Sequence, residues 1–251
     1  MNSAVIVSTA RTALTKSWTG GFNMTHPATL AGHVVREALT RSGADADDIA
    51  DVTLGCANPE GAQSMNIARV AALQAGLPTS IPGQTVNRFC ASGLQAIASS
   101  AQRIIAGECV AAIAGGVESI TTVQDRMNRH LVTNTELSVA HPAIYWPMVK
   151  TAEVVAERYG ITRRSQDEFA ARSQELAAQA ATAGRFRDEI APLSTTAAIV
   201  DRSSGTTRTT AVIVAEDEGI RPDTTYEALA RIRPAVAGGV ITGGNASQFS
   251  D

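Results

Sequence analysis

Short apolar runs alternate with helix-like segments along the first 120 residues, and this alternation restricts the possible folds more than any other feature. The apolar runs are SAVIVSTAR, DVTLGCA, GQTVNRF and ECVAAIAGG. The helix-like segments between them are ATLAGHVVREALTRSG, residues 66–75 and residues 93–106. The last apolar run is nearly continuous, which is typical of a strand buried on both faces. The alternation predicts βαβ units, and therefore an α/β fold with a mostly parallel sheet covered by helices.

The pattern changes after Glu118. Residues 121–150 are loop-like, and two amphipathic helices follow at TAEVVAERYG and SQDEFAARSQELAAQAATAG, the second with a capping box of Ser165 and Glu168. TAVIVAE and VITGGNAS predict further strands, the second leading into a glycine-rich turn. We therefore expect a core of residues 1–120, an inserted lobe of residues 121–238, and a return to the core at residues 239–251.

Composition and charge exclude several classes of function. The formal net charge is −3, so no broad basic surface is available for nucleic acid or an anionic membrane. No apolar run approaches the roughly 18 residues that a membrane span needs. Four histidines, at positions 26, 33, 130 and 141, lack metal-ligand spacing, so no metal is expected. Three cysteines, an odd number without paired spacing, favour a reducing compartment such as the cytoplasm over a disulfide framework.

Cys90 lies where an apolar strand-like run gives way to a helix. Leu94, Ile97 and Ile105 fall on one apolar stripe of that helix, together with Ala98 and Ala101. The start of a helix carries unpaired N–H groups and the positive end of the helix dipole, and both favour a thiolate. Small residues next to the cysteine would let a substrate carbonyl approach the backbone. Spacing alone leaves two interpretations open, an activated nucleophile and a buried structural cysteine.

The segments NRFCASGLQAI and AGGVESIT together resemble the thiolase family, whose members make or cleave 3-ketoacyl-CoA. KTAEVVAERYGITRRSQDEFAARSQELAAQA is similar to the helices of that family's inserted loop domain, and RPDTTYEALARIRP and VITGGNASQFSD resemble the segments that close it. The resemblance covers nearly the whole chain in order. It implies a thiolase-like fold that comprises the first half of the family's fold and the inserted helical loop domain, with the C-terminal half absent. It also implies that the parent protein is an acetyl-CoA acetyltransferase or 3-ketoacyl-CoA thiolase of fatty acid metabolism.

The resemblance also assigns individual residues. Cys90 corresponds to the acylated cysteine, Met148 to a methionine beside the acyl-thioester pocket, and Arg221 to an arginine near the adenine nucleotide. Ser247 corresponds to a serine that hydrogen-bonds the pantetheine arm. On the residues alone, Met148 is equally compatible with an ordinary core position, Arg221 with a solvated surface and Ser247 with a turn.

The family's remaining catalytic motifs are missing from this sequence. It contains no Gly-His-Pro, no second cysteine in a Cys-x-Gly-Gly-Gly run and no Asn-Glu-Ala. We therefore expect the chain by itself to be an inactive fragment of an acyltransferase. The resemblance implies that the parent enzyme works through an acyl-cysteine intermediate and uses CoA thioesters as substrates without a tightly bound cofactor. It also implies a homodimer or homotetramer. The alternatives are a non-catalytic thiolase-like protein that binds CoA or lipid, and a ketoacyl synthase-type condensing enzyme, against which the loop-domain helices argue.

Overall fold

The computed structural model describes residues 2–201 and 203–251. Contacts divide the chain into two compact units. The first comprises the residues up to Met127, Asp188–Glu218 and Phe249–Asp251; the second comprises Asn128–Arg187 and Gly219–Gln248. These boundaries differ from those expected from the sequence: residues 121–127 and 188–218 belong to the first unit, and residues 239–248 belong to the second.

The first unit is built around a parallel sheet. In chain order its main elements are α1 (Pro27–Ser42), β1 (Ile49–Gly55), α2 (Ile67–Gln74), β2 (Gly83–Val86), α3 (Ser92–Ala106), β3 (Ala111–Gly116) and α4 (Ile120–Val123). The strand order is β2-β1-β3, and β1 pairs in parallel with both neighbours, with Thr53 opposite Gln84 on one side and Ala114 on the other. An antiparallel pair, β4 (Leu193–Val200) and β5 (Thr207–Val214), completes the unit.

Alternate side chains of β1 point to opposite faces of the sheet. Val52 and Leu54 are buried in the main apolar cluster with residues of α1 and α2, such as Val35 and Ala71. Asp51, the residue before Val52, faces the other way, and its carboxylate binds Arg103 of α3 at 2.6 Å. Helices therefore cover both faces of the sheet, α1 and α2 on one side and α3 on the other.

The second unit is mainly helical. It contains α5 (Thr135–Ala140), α6 (Met148–Tyr159), α7 (Arg163–Thr182) and α8 (Tyr226–Ala230). Helix α6 ends at Gly160, whose φ of +63° is the left-handed conformation that glycine adopts readily at a helix end. The N-cap of α7 is Thr162, whose hydroxyl accepts from the N–H of Ser165 at 3.1 Å. The expected capping box of Ser165 and Glu168 is therefore wrong, because the helix begins one turn earlier.

Several local expectations from the sequence hold and others fail. The helices expected near residues 27–42, 66–75 and 93–106 are confirmed, as is the strand within TAVIVAE. Strand β4, the partner of that strand, was not expected. The strand expected in VITGGNAS is not formed in the described chain.

The expected strand at SAVIVSTAR is also wrong. Residues 4–7 belong to no strand and are unpaired in the described chain, and Val5, Ile6 and Val7 are 73–75% exposed. A strand requires a hydrogen-bonding neighbour, and the described chain supplies none for these residues. The expectation that ECVAAIAGG is buried on both faces also fails, because the residues of β3 are only partly buried.

Helix α3 packs with the opposite face from the one expected. Its apolar stripe points outward, with Leu94 72%, Ile97 38% and Ile105 49% exposed, whereas Ser92, Ala96 and Ser100 are buried. Small side chains allow α3 to approach the sheet closely: a Cβ at Gly55 would lie 2.2 Å from the backbone carbon of Ser92. Close approach, not apolar content, therefore decides which face of α3 lies against the sheet.

Candidate active site

The carboxyl ends of the three parallel strands meet at one edge of the sheet, where ligands commonly bind in α/β proteins. Hydrogen bonds join the segments that follow the strands. Ala57, just after β1, donates its N–H to the Glu118 carboxylate at 2.7 Å and accepts at its carbonyl from the Asn87 side chain at 2.9 Å. Asn87 follows β2 and Glu118 follows β3, so side chains fix the positions of all three strand ends relative to one another.

Cys90 lies at this edge, between β2 and the first residue of α3. Its side chain is exposed, whereas Cys56 is buried and Cys109 is half-buried. The preceding residue, Phe89, has a φ of +47°, the left-handed region that residues with a Cβ rarely occupy. The chain therefore makes a sharp turn immediately before the thiol and presents it at the N-terminal end of α3.

Two side chains hold the backbone of this turn. The Ser92 hydroxyl donates to the Phe89 carbonyl at 2.6 Å and accepts from the Arg88 N–H at 2.9 Å. The Asn87 side chain accepts from the Phe89 N–H at 2.8 Å. Sequence reasoning missed both residues. The only available signal was that polar side chains flank the cysteine within NRFCAS.

Cys56 lies at the same edge of the sheet as Cys90, but its environment is buried rather than exposed. It is 1% exposed and packs with Ala28 and Ile67. Burial, with a smaller contribution from the negative charge of Glu118, raises the pKa of the Cys56 thiol to about 12. Cys56 is therefore a neutral, buried thiol near neutral pH and is unsuited to nucleophilic chemistry.

The two histidines of the first unit make contacts of their own. Nδ1 of His26 accepts from the N–H of Ala28 and so caps α1 at 3.1 Å. Nε2 of His33 lies 3.2 Å from the carbonyl of Ala191. In the described residues, no group of three or more His, Cys, Asp or Glu side chains could hold a metal ion. Nor is any helix of residues 2–201 and 203–251 long and apolar enough to cross a membrane.

The other three candidate residues lie in the second unit, and all are exposed. Met148 is the first residue of α6 and is 71% exposed in the described chain. The backbone N–H of Arg221 donates to the Gln174 side chain at 2.8 Å, while its carbonyl accepts from Thr224. The hydroxyl of Ser247 has a long contact, 3.4 Å, with the carbonyl of Gln248.

Polar side chains of α6 and α7 hold the segment that carries Ser247. The carboxylate of Glu153 on α6 accepts from the N–H groups of Val240 and Ile241 at 2.9–3.0 Å. Asn245 donates to Asp167 of α7 at 2.9 Å, and Asp167 is 1% exposed. These anchoring residues were not predicted from the sequence, because a single acidic residue within a helix gives no distinctive pattern.

An open groove of about 760 Å³ lies in the second unit between α7 and residues 222–226. Arg172, Leu176, Pro222 and Tyr226 are among its lining residues. None of Met148, Arg221 and Ser247 lines it. Arg221 nevertheless directly precedes the lining residue Pro222, and its N–H binds Gln174 of α7 at the edge of this groove.

Comparisons with known proteins agree with this geometry. The family model of the thiolase N-terminal domain matches residues 4–251. The 3-ketoacyl-CoA thiolase of Bacillus subtilis (strain 168) is 43% identical over 254 residues, covering 100% of this chain and 64% of that protein. A peroxisomal 3-ketoacyl-CoA thiolase of Homo sapiens is 40% identical over 250 residues, covering 98% of this chain and 57% of that protein.

A solved structure gives the same result for the fold. The crystal structure of the Bacillus anthracis acetyl-CoA acetyltransferase superposes with a TM-score of 0.84 at 35% identity, over 100% of this chain and 64% of that one. The architecture is thus the α/β fold of the thiolases, and the chain belongs to the thiolase family. It spans 53–64% of the length of these relatives and of others of similar identity.

Proposed function

We propose that this chain is the nucleophile-bearing part of a thiolase-family acyltransferase that cleaves 3-ketoacyl-CoA or runs the reverse condensation. The observation that carries the proposal is the position of Cys90. It is an exposed thiol at the start of α3, where three parallel strands end. The match of the family model over residues 4–251 supports the same assignment.

The proposed reaction proceeds in two steps through a covalent acyl-cysteine. The Cys90 sulfur attacks the C3 carbonyl of 3-ketoacyl-CoA, and the C2–C3 bond breaks with its electron pair remaining on C2. C2 takes up a proton and leaves as acetyl-CoA. The thiol sulfur of CoA loses a proton and attacks the acyl-cysteine carbonyl, which releases acyl-CoA and restores the Cys90 thiolate. Condensation is the same sequence in reverse.

The CoA thioester is a substrate, and we propose that Met148, Arg221 and Ser247 contact it. All three are exposed members of the second unit. A guanidinium can pair with phosphate or stack on a base, which suits Arg221 for the nucleotide end. We also propose a cytoplasmic location, because the three cysteines are free, and a homodimer or homotetramer in solution.

Alkylation of the folded chain tests the identity of the nucleophile. We expect iodoacetamide, followed by peptide mapping, to label Cys90 faster than Cys109 and to leave Cys56 unlabelled. In a longer protein that contains this chain, Cys90→Ala should lower the rate of acetoacetyl-CoA thiolysis roughly 10³-fold or more, while Cys109→Ala leaves it unchanged. Faster labelling of Cys109 would overturn the assignment. CoA binding without Cys90-dependent turnover would instead favour a non-catalytic CoA-binding protein.

Arg221→Ala tests the proposed nucleotide contact in the same longer protein. Loss of one guanidinium contact should raise the KM for CoA substrates about tenfold with a small change in kcat. Arg185→Ala is the matched control, because Arg185 is another exposed arginine of the second unit. An unchanged KM in Arg221→Ala would remove this residue from the binding surface.

The printed chain alone should be inactive. It lacks the Gly-His-Pro, Cys-x-Gly-Gly-Gly and Asn-Glu-Ala motifs, so it contains no second cysteine placed to abstract the α-proton of acetyl-CoA. We expect no measurable acetoacetyl-CoA thiolysis by the purified 251-residue chain. Turnover comparable to that of the longer protein, and lost on Cys90→Ala, would contradict this expectation.

A further inference from the structure

Phe89 is held in an unfavourable backbone conformation next to the candidate nucleophile. Its φ of +47° brings its Cβ close to the following carbonyl oxygen, a steric cost that glycine does not pay. Packing of the side chain does not offset this cost, because Phe89 is 75% exposed. Some other interaction must therefore keep the residue in this conformation.

Ser92 supplies the first part of that interaction. Its hydroxyl donates to the Phe89 carbonyl at 2.6 Å and accepts from the Arg88 N–H at 2.9 Å, so it bonds the backbone on both sides of the Phe89 Cα. Ser92 is 4% exposed, and water therefore competes little for these bonds.

Asn87 supplies the second part. Its side-chain oxygen accepts from the Phe89 N–H at 2.8 Å, and its side-chain nitrogen donates to the Ala57 carbonyl at 2.9 Å. The first bond fixes the amide of the strained residue, and the second anchors Asn87 to the segment that follows β1. Side chains on either side of Phe89 thus bind both its N–H and its carbonyl.

We propose that Asn87 and Ser92, together the polar clamp, are positioning residues that hold Phe89 in the left-handed conformation and thereby present the Cys90 thiol at the start of α3. The inference rests on the proposed role of Cys90 as nucleophile. Each residue of the clamp acts through the backbone that carries Cys90.

The test measures the rate of Cys90 alkylation by iodoacetamide in the folded 251-residue chain, with Cys109 in the same molecule as the internal standard. We expect Asn87→Ala and Ser92→Ala each to slow Cys90 about fivefold at neutral pH, the loss that one hydrogen bond implies, with Cys109 unchanged. Ser100→Ala is the matched control, because Ser100 is a buried serine of the same helix whose hydroxyl has no hydrogen-bond partner among the described residues.

A glycine at position 89 distinguishes a role of Ser92 in positioning Cys90 from a role in stabilising helix α3. Glycine at position 89 adopts a positive φ without the steric cost, so it needs no clamp. We expect Phe89→Gly to restore the Cys90 rate in the Ser92→Ala background. A role of Ser92 in helix stability alone would leave the double variant as slow as Ser92→Ala.

The outcomes distinguish the two proposals. If Cys90 of the unmodified chain reacts no faster than Cys109, the proposed function fails. If Cys90 is reactive but insensitive to Asn87→Ala and Ser92→Ala, or if Phe89→Gly gives no rescue, the polar clamp alone is overturned. Circular dichroism confirms the fold of each variant, and Asn87→Ala supplies the result if Ser92→Ala does not fold.

Discussion

Helices α2 and α3 both begin just after residues with left-handed backbone, yet the two helix starts are built differently. At α2 the N-cap Asn66 has a φ of +56°, preceded by Met65 at +58°. The Asn66 side chain holds its own position by donating to the Gly83 carbonyl and accepting from the Thr85 hydroxyl, at 2.7 and 2.8 Å. Asparagine is among the residues that tolerate this conformation best.

Before α3 the left-handed residue is Phe89, whose side chain has no hydrogen-bonding group, so the side chains of Asn87 and Ser92 bind its backbone instead. The helices also differ in what they bury. Helix α2 buries Ile67 and three alanines, whereas α3 buries two serines and one alanine and exposes Leu94, Ile97 and Ile105. Helix α2 has asparagine at its left-handed N-cap and buries its isoleucine, whereas α3 follows a left-handed aromatic residue and exposes its larger apolar side chains beside the thiol. Such departures concentrate at functional sites.

The largest expected effect tests this difference in burial. Ile67→Ala should lower the free energy of unfolding of the chain by about 2–4 kcal/mol, because it empties a fully buried site. Leu94→Ala on α3 should change it by less than about 0.5 kcal/mol, because Leu94 is 72% exposed. Urea unfolding followed by circular dichroism measures both. Equal losses would mean that the outward stripe of α3 is covered in solution.

An intermediate effect concerns the buried thiol of Cys56, which directly follows β1 and packs against Ile67, the first residue of α2. The pKa of Cys56 rises from 9.0 to about 12 on folding, so the thiol is neutral in both states below pH 9. Above pH 9 the unfolded chain ionises first, and stability falls by up to about 1.4 kcal/mol per pH unit until pH 12.

At pH 10 the contribution of Cys56 should therefore be a loss of about 1.4 kcal/mol relative to neutral pH. Unfolding titrations between pH 8 and 10.5 should show a shallower alkaline decline for Cys56→Ala than for the unmodified chain, whatever the constant cost of the substitution. Parallel curves would show that Cys56 ionises equally easily in both states.

Much of the first unit could be predicted because its signals are local. Helix α1 ends where Gly43 permits a φ of +68°, and the parallel strands follow from the alternation of apolar runs with helices. The family and the position of Cys90 followed from motifs that extend along the chain. Each of these signals is contained in a short stretch of sequence, and the family follows from several such stretches in order.

The failures concern interactions that a local pattern does not contain. SAVIVSTAR has strand composition, but no described residue pairs with its apolar run, so this run forms no strand and remains exposed. The apolar stripe of α3 predicted its buried face wrongly, because the absence of a Cβ at Gly55 lets the small face approach the sheet. The left-handed Phe89 contradicts the propensity of an aromatic residue, and only the bonds from Asn87 and Ser92 explain it.

The smallest expected effect concerns the left-handed residues themselves, where the two helix starts should respond with opposite sign. Phe89→Gly removes a steric cost of about 1–2 kcal/mol, offset by about 1 kcal/mol from the greater freedom of glycine in the unfolded chain. Because the ring is exposed, no burial is lost, and we expect a gain in stability of about 0.5 kcal/mol. Asn66→Gly keeps the conformation but loses both side-chain hydrogen bonds, so we expect a loss of about 1 kcal/mol. Urea unfolding of the two variants side by side measures the difference. Losses of similar size at both positions would show that Phe89 bears no strain, and the contrast between the two helix starts would then reduce to their buried faces.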